Sequence, residues 1–203
     1  MMKIFGHPMS TCTRKVVTTL IETDTPYELE LVDFAKGEHK QPANLARQPW
    51  GRVPALDDEG FAMHESRAMC RYINDKAGGN LVPADLRARA VMEQWISVEY
   101  SYFTAPTMKF VLHHLFQMKQ DEAALEAAQK DLDHAASVVD AHLAKHSYFA
   151  GQEFSLADIC YMPYVDYGLA VPAKETLGKY RHLMAWWTRV SERPSWLKAT
   201  GRA

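Results

Sequence analysis

Residues 3–31 read KIFGHPMSTCTRKVVTTLIETDTPYELEL, and the hydrophobic period changes twice within them. The first four of these residues predict a short strand, and residues 11–23 then place a row of Val, Leu and Ile side chains on one face of a helix. Residues 27–31 alternate apolar and acidic side chains, which is typical of a strand. This strand, helix, strand order predicts a βαβ unit.

The chain then continues as a predicted hairpin and a helix. Residues 53–56 and 61–63 are apolar and flank Asp57-Asp58-Glu59-Gly60, a sequence typical of a turn between antiparallel strands. A helix is expected from about Ser66 to Lys76, and Gly78-Gly79-Asn80 ends the segment. Residues 1–80 are therefore predicted to form an α+β domain.

Residues 81–203 show only helical patterns and are predicted to form an all-α helical bundle. Apolar side chains between Leu125 and Leu143 recur every three or four positions. A long aromatic segment from Arg87 to Gln117 contains Pro106, which should kink or divide its helix.

A further helix is predicted to start in FSLADI, residues 154–159. Ser155 and Asp158 have the spacing of a capping box, which needs no ligand. We therefore expect Asp158 to have a structural role.

Composition and charge exclude several classes of protein. Apolar residues make up 47% of the chain and charged residues 24%, as in ordinary globular domains. No run of basic residues exceeds Arg14-Lys15, which argues against a nucleic-acid partner. No apolar stretch is long enough for a membrane span or a secretory leader. Cys12, Cys70 and Cys160 have no CxxC spacing, so reduced thiols and a cytoplasmic location are expected.

Three local features carry chemistry. Ser10 lies where the first strand meets the first helix, and a helix N-terminus stabilises an anion; the simpler reading is that Ser10 or Thr11 only caps the helix. A cis bond at Val53-Pro54 would present the Val53 backbone to an extended peptide. Glu65-Ser66 opens a helix with a carboxylate beside a hydroxyl, a pair suited to the ammonium and carboxylate of an amino acid, or to a plain serine cap.

Together, five ordered motifs resemble the cytosolic glutathione transferases, most of all the phi class. The motifs are GHPMSTCTRKV, GEHK at residues 37–40, GRVPAL, HESRAM and FSLADI, and they cover nearly the whole chain. The resemblance implies a thioredoxin-like N-terminal domain, an all-helical C-terminal domain and a homodimer. It also implies that glutathione is a co-substrate bound almost entirely by the first domain.

The resemblance assigns residues to glutathione as follows. Ser10 falls at the catalytic serine. His39 and Lys40 match residues that meet the glycyl carboxylate, Val53 beside cis-Pro54 pairs with the cysteinyl backbone, and Glu65 with Ser66 holds the γ-glutamyl end. Arg52 departs from the family, which often has Gln there, so it either offers charge to a carboxylate or is a solvated surface residue.

The electrophile is expected in an apolar pocket between the two domains. Its candidate lining residues, each of which could equally belong to the core, are Met9, Phe34, Tyr102, Phe103, Pro106, Phe110 and Tyr164.

The expected reaction is attack of the glutathione thiolate on a hydrophobic electrophile, with peroxide reduction left open. Ser10 would donate its O–H to the sulfur and so favour the thiolate. Two alternatives are a non-catalytic ligand carrier and a thiol transferase that depends on Cys12. His142 and His146 have the spacing of a metal pair but lack a third ligand, so no metal is expected.

Overall fold

A computed structural model describes all 203 residues of the chain. The residues form two compact units, Met1–Asn80 with Arg193–Ala203 and Leu81–Glu192. None of the helices has both the length and the apolar character that crossing a membrane requires.

The first unit is built on a four-stranded sheet with the order β2-β1-β3-β4. Its strands are β1 (Met2–Gly6), β2 (Tyr27–Leu31), β3 (Ala55–Asp58) and β4 (Phe61–His64). β1 runs parallel to β2, with Ile4 opposite Leu29, and antiparallel to β3, with Ile4 opposite Leu56. β3 and β4 form the predicted hairpin. The α+β, thioredoxin-like fold expected for this part of the chain is confirmed.

Helices complete the first unit. They are α1 (Thr11–Glu22), the four-residue α2 (Pro42–Leu45) and α3 (Ser66–Ala77), and a turn of 3-10 helix spans Glu38–Lys40. α1 packs against α3. Val16 and Leu20, which share one face of α1 because they are four positions apart, are fully buried, and so is Ile73 of α3.

The last helix, α10 (Pro194–Ala199), packs against α1 and so belongs to the first unit. Arg193 makes a two-pronged ion pair with Glu22, with Nε and Nη2 each 2.7 Å from a carboxylate oxygen, and Ser195 donates to the same carboxylate. The sequence prediction placed residues 193–203 in the helical domain. In the structure these residues group with the first unit. The sequence did not predict this, because the contact joins residues 171 positions apart and no local pattern reveals it.

The second unit is entirely helical, as predicted. Its helices are α4 (Leu86–Val98), α5 (Thr104–His114), α6 (Glu122–Leu143), α7 (Leu156–Leu169), α8 (Lys174–Leu177) and α9 (Arg181–Ser191). The long segment around Pro106 is divided by a π-helical turn, Glu99–Phe103, in which the Thr104 N–H bonds to the Glu99 carbonyl. Pro106 has no N–H to donate to the carbonyl of Tyr102, so the division falls just before it.

The predicted capping box begins α7. Asp158 is fully buried and accepts hydrogen bonds from the backbone of Ser155 (2.9 Å), the backbone of Phe149 (3.2 Å) and the indole of Trp186 (2.8 Å). Burial raises the pKa of Asp158 to about 6, although these hydrogen bonds act to lower it. Asp158 therefore ties the start of α7 to α9 and to the preceding loop.

The Glu22 ion pair predicts a pH-dependent stability. Burial acts to raise the pKa of Glu22, but the hydrogen bonds from Arg193 and Ser195 and the charge of Arg193 outweigh it and lower the pKa below its ordinary value of 4.5. A lowered folded-state pKa contributes stability above the unfolded-state value and loses it as the pH falls through the folded-state value. At pH 7 we expect Glu22→Gln to reduce the free energy of unfolding by about 1–3 kcal/mol.

Urea unfolding at pH 7 and at pH 3 measures this contribution. The difference between wild type and Glu22→Gln should shrink at the lower pH. A difference that stays constant over this range would rule out the ion pair as its cause.

Candidate functional site

The loop between β1 and α1 holds Ser10 at the N-terminus of α1. The Ser10 N–H bonds to the His7 carbonyl at 2.8 Å, and the Arg14 Nε bonds back to the Pro8 carbonyl at 2.8 Å. Ser10 is the N-cap, and its Oγ accepts a hydrogen bond from the Thr13 N–H at 3.2 Å. The simpler interpretation, that Ser10 caps α1, is therefore confirmed.

Capping uses only one lone pair of the Ser10 hydroxyl. A serine hydroxyl has one proton to donate and two lone pairs. The Ser10 oxygen accepts from Thr13, whereas its O–H has no acceptor within the chain. The side chain is half-buried, so the free O–H is offered at the helix N-terminus, where the helix dipole also favours a negative charge.

Close packing of Gly6 on Thr13 sets the direction of this loop. Thr13 is almost fully buried, and its Oγ1 accepts from the His7 N–H at 3.3 Å. A Cβ on Gly6 would come within 2.7 Å of the Thr13 side chain, so only glycine fits here. Neither Gly6 nor Thr13 was predicted from the sequence to belong to the site.

An aromatic contact joins the loop after β2 to the loop before α1. The rings of His7 and Phe34 are stacked with centroids 4.8 Å apart, and Phe34 meets His39 edge-on at 5.1 Å. Met9 and Phe34 are 44% and 42% exposed. Apolar surface therefore lies next to Ser10 on the first unit.

His39 and Lys40 lie in the 3-10 turn, beside the segment that leads into β3. The Nζ of Lys40 is 3.4 Å from the Trp50 carbonyl oxygen. Asn44 links the two segments, because its Nδ2 donates to the carbonyls of His39 (3.0 Å) and Arg52 (3.3 Å). Sequence reasoning missed Asn44; the one available signal was an asparagine within a helical turn, a position that it disfavours.

The backbone of Val53 is open to a partner. The Val53-Pro54 bond is cis, as expected. β3 begins only at Ala55, and neither the N–H nor the C=O of Val53 makes a hydrogen bond within the chain. The Val53 side chain is held by the buried cluster of Phe5, Val32 and Ala55.

Glu65 occupies an unusual backbone conformation. Its φ of 71° and ψ of 99° place a residue with a Cβ in a sparsely populated region, at a cost of about 1–3 kcal/mol. The single residue Glu65 connects β4 to α3, which leaves no loop to absorb the turn. The Glu65 side chain is exposed, whereas Ser66 is buried and its hydroxyl has no partner within the chain.

The proposed pocket residues of the second unit differ in exposure. Tyr102 is 65% exposed, whereas the other four are buried. Phe103 packs edge-on against Tyr161 at 5.2 Å, as a core residue does. The buried residues are Phe103, Pro106, Phe110 and Tyr164.

The cysteines and histidines have distinct surroundings. Cys12 is half-buried in the first turn of α1, whereas Cys70 is buried and its pKa is raised to about 11 by burial. His142 bonds through Nε2 to the Phe149 carbonyl at 3.0 Å, and its ring lies 4.5 Å from that of His146. No group of three or more His, Cys, Asp or Glu side chains is arranged to hold a metal ion.

Comparison with known proteins identifies the family. Residues 1–75 match the model of the glutathione S-transferase N-terminal domain, and residues 100–194 match that of the C-terminal domain. Glutathione S-transferase F9 of Arabidopsis thaliana is 36% identical, covering 99% of this chain and 97% of the relative. Glutathione S-transferase hmp2 of Hypomyces subiculosus is 37% identical over 99% and 98%.

Solved structures of glutathione transferases match this chain over nearly its whole length. Glutathione transferase F2 from Populus trichocarpa superimposes with a TM-score of 0.93 at 31% identity, covering 100% of this chain and 99% of that one. The maize glutathione S-transferase I, solved with an atrazine glutathione conjugate, gives a TM-score of 0.90 at 32% identity, covering 99% and 97%. The chain is therefore a glutathione transferase and belongs to the glutathione S-transferase family, close to the phi-class members that its motifs resembled.

Proposed function

We propose that this protein joins the glutathione thiolate to hydrophobic electrophiles, and that Ser10 stabilises the thiolate by donating its O–H to the sulfur. One observation carries the proposal: the Ser10 oxygen is fixed by the Thr13 N–H, while its O–H has no acceptor in the chain. A bound sulfur at this point would complete the hydroxyl's hydrogen bonds. Ser10 then needs no base partner, because it never becomes the nucleophile.

The energy required is within reach of this arrangement. A free thiol has a pKa of about 8.5, so only a few per cent is ionised at pH 7. Each unit by which the pKa falls needs about 1.4 kcal/mol of stabilisation of the thiolate. One hydrogen bond to a charged group together with a helix N-terminus supplies roughly 1.5–3 kcal/mol, or about one to two units.

The rest of the first unit supplies contacts for an extended tripeptide. The unpaired N–H and C=O of Val53, beside cis-Pro54, suit the cysteinyl backbone. Glu65 and the unpaired hydroxyl of Ser66 lie at the start of α3, where a carboxylate and a helix end suit the ammonium and carboxylate of the γ-glutamyl end.

Three basic side chains are proposed for the glycyl end. His39 and Lys40 share one turn of 3-10 helix, and Arg52 directly precedes Val53. The Arg52 side chain is exposed, so its charge is free to face a carboxylate. We assign the glycyl carboxylate to His39 and Lys40, and we assign a supporting charge to Arg52.

The electrophile is proposed to be apolar. Met9 and Phe34 supply exposed apolar surface next to Ser10, and Tyr102 is the exposed candidate on the helical unit. We retain Phe103, Pro106, Phe110 and Tyr164 as weaker candidates because they are buried. The maize relative's atrazine conjugate suggests aromatic halides as a first class to test.

We further propose a cytoplasmic homodimer, as the family resemblance implies.

Ser10→Ala tests the assigned role. We expect kcat/KM with 1-chloro-2,4-dinitrobenzene to fall about ten- to a hundredfold, since one hydrogen bond to a developing thiolate is lost. The Kd for glutathione should change less than about threefold, because the peptide contacts remain. Ser10→Thr keeps a hydroxyl and serves as the matched control. Equal losses of rate and of glutathione affinity would show that Ser10 binds the peptide and does not activate its thiol.

A substrate panel separates the alternative functions. Wild type and Cys12→Ala are each assayed with glutathione and an aryl halide, an organic hydroperoxide or a disulfide. We expect conjugation in both, and no dependence of any activity on Cys12, which lies inside the first turn of α1. Loss of disulfide reduction in Cys12→Ala would instead support a thiol transferase. Thermal stabilisation by glutathione without turnover of any substrate would support a carrier.

A further inference from the structure

One buried amide lies between two segments that the proposed function places at the glycyl end of glutathione. Asn44, in α2, is 5% exposed. Its side chain bonds to the carbonyls of His39 at 3.0 Å and Arg52 at 3.3 Å. Carbonyl oxygens only accept hydrogen bonds, so the NH2 group of the amide must face them.

The two ends of this amide are used unequally. Both protons of Nδ2 have an acceptor, whereas Oδ1 is buried and has no hydrogen-bond partner. Every hydrogen bond of this side chain within the protein therefore serves to join the two carbonyls.

Gly51 packs closely against the 3-10 turn that contains His39 and Lys40. It has a φ of +59°, and a Cβ on it would lie 3.1 Å from the His39 carbonyl oxygen and 2.7 Å from Cδ of Lys40. The His39 carbonyl is thus enclosed by Asn44 and Gly51, and the Lys40 side chain passes over Gly51 to reach the Trp50 carbonyl. Without Asn44, only packing and the long bond from Lys40 to the Trp50 carbonyl would hold the 3-10 turn against residues 50–52.

We infer that Asn44 is a positioning residue for recognition of the glycyl carboxylate. It does not contact glutathione; it fixes the backbone from which His39 and Lys40 extend, relative to Arg52 and Val53. This role rests on the proposed function, because it requires glutathione to bind with its glycyl end at His39 and Lys40.

A comparison of two peptides tests the inference. γ-Glutamylcysteine lacks the glycine of glutathione, so its affinity does not depend on the glycyl contacts. Calorimetry would give the Kd of both peptides for wild type and for Asn44→Ala. We expect the Kd for glutathione to rise about tenfold, because a displaced 3-10 turn would lose one hydrogen bond to the charged glycyl carboxylate. The Kd for γ-glutamylcysteine should change less than about twofold.

Asn74→Ala is the matched control. Asn74 is 2% exposed and lies in the same unit, near the end of α3. This change should lower the Tm while the preference for glutathione over γ-glutamylcysteine stays as in wild type. Asn44→Ser keeps one donor and should give an intermediate preference, and it replaces Asn44→Ala if that variant does not fold.

The outcomes are distinguishable. Equal weakening of both peptides by Asn44→Ala, or an unchanged preference, would overturn the positioning role. Equal binding of the two peptides by wild type would overturn it as well, but would leave the role of Ser10 intact. A wild-type protein that binds neither peptide would overturn the proposed function and this inference together.

Discussion

The hydrogen bond from the Thr13 N–H to the Ser10 oxygen is the interaction on which the site depends. It satisfies one of the free N–H groups at the start of α1 and also fixes the side-chain oxygen. The oxygen accepts from inside the helix, and its proton has no acceptor within the chain. The proposed function therefore gives this one hydroxyl two uses, capping and thiolate stabilisation.

The scaffold around this hydroxyl keeps several other polar groups unpaired or strained. Val53 leaves its N–H and C=O unused, and Glu65 holds a backbone conformation that costs about 1–3 kcal/mol. Val53 lies two residues before β3 and Glu65 directly follows β4, so the rigid sheet holds both in place. Such costs are expected where a ligand supplies the missing partners, and all of these residues lie in the first unit.

Local sequence patterns predicted the parts of the fold that depend on local chemistry. The strands, α1, α3 and the capping box at Ser155 follow from periodicity and capping, which act over a few residues. The return of Arg193 to Glu22 did not follow, because it depends on tertiary packing between distant segments. Pro106 predicted that its helix would be divided, but not that a π-helical turn would divide it.

The candidate site residues divide in the same way between local motifs and tertiary contacts. Ser10, Val53 and Glu65 stand in recognisable motifs, and the structure adds an unused proton at Ser10, an unpaired backbone at Val53 and a strained backbone at Glu65. Asn44 escaped notice because its importance comes from two carbonyls that approach it only in the folded chain. The burial of Phe103 likewise depends on how helices pack, which aromatic composition alone does not reveal.

The most direct test of the central claim is the pKa of the thiol of bound glutathione. Its thiolate can be followed by ultraviolet absorbance as the pH is varied, with wild type and Ser10→Ala each saturated with glutathione. We predict a bound pKa about one to two units below the free value of about 8.5 in wild type, and a return most of the way to that value in Ser10→Ala. The same lowered pKa in both proteins would contradict the role assigned to the Ser10 hydroxyl.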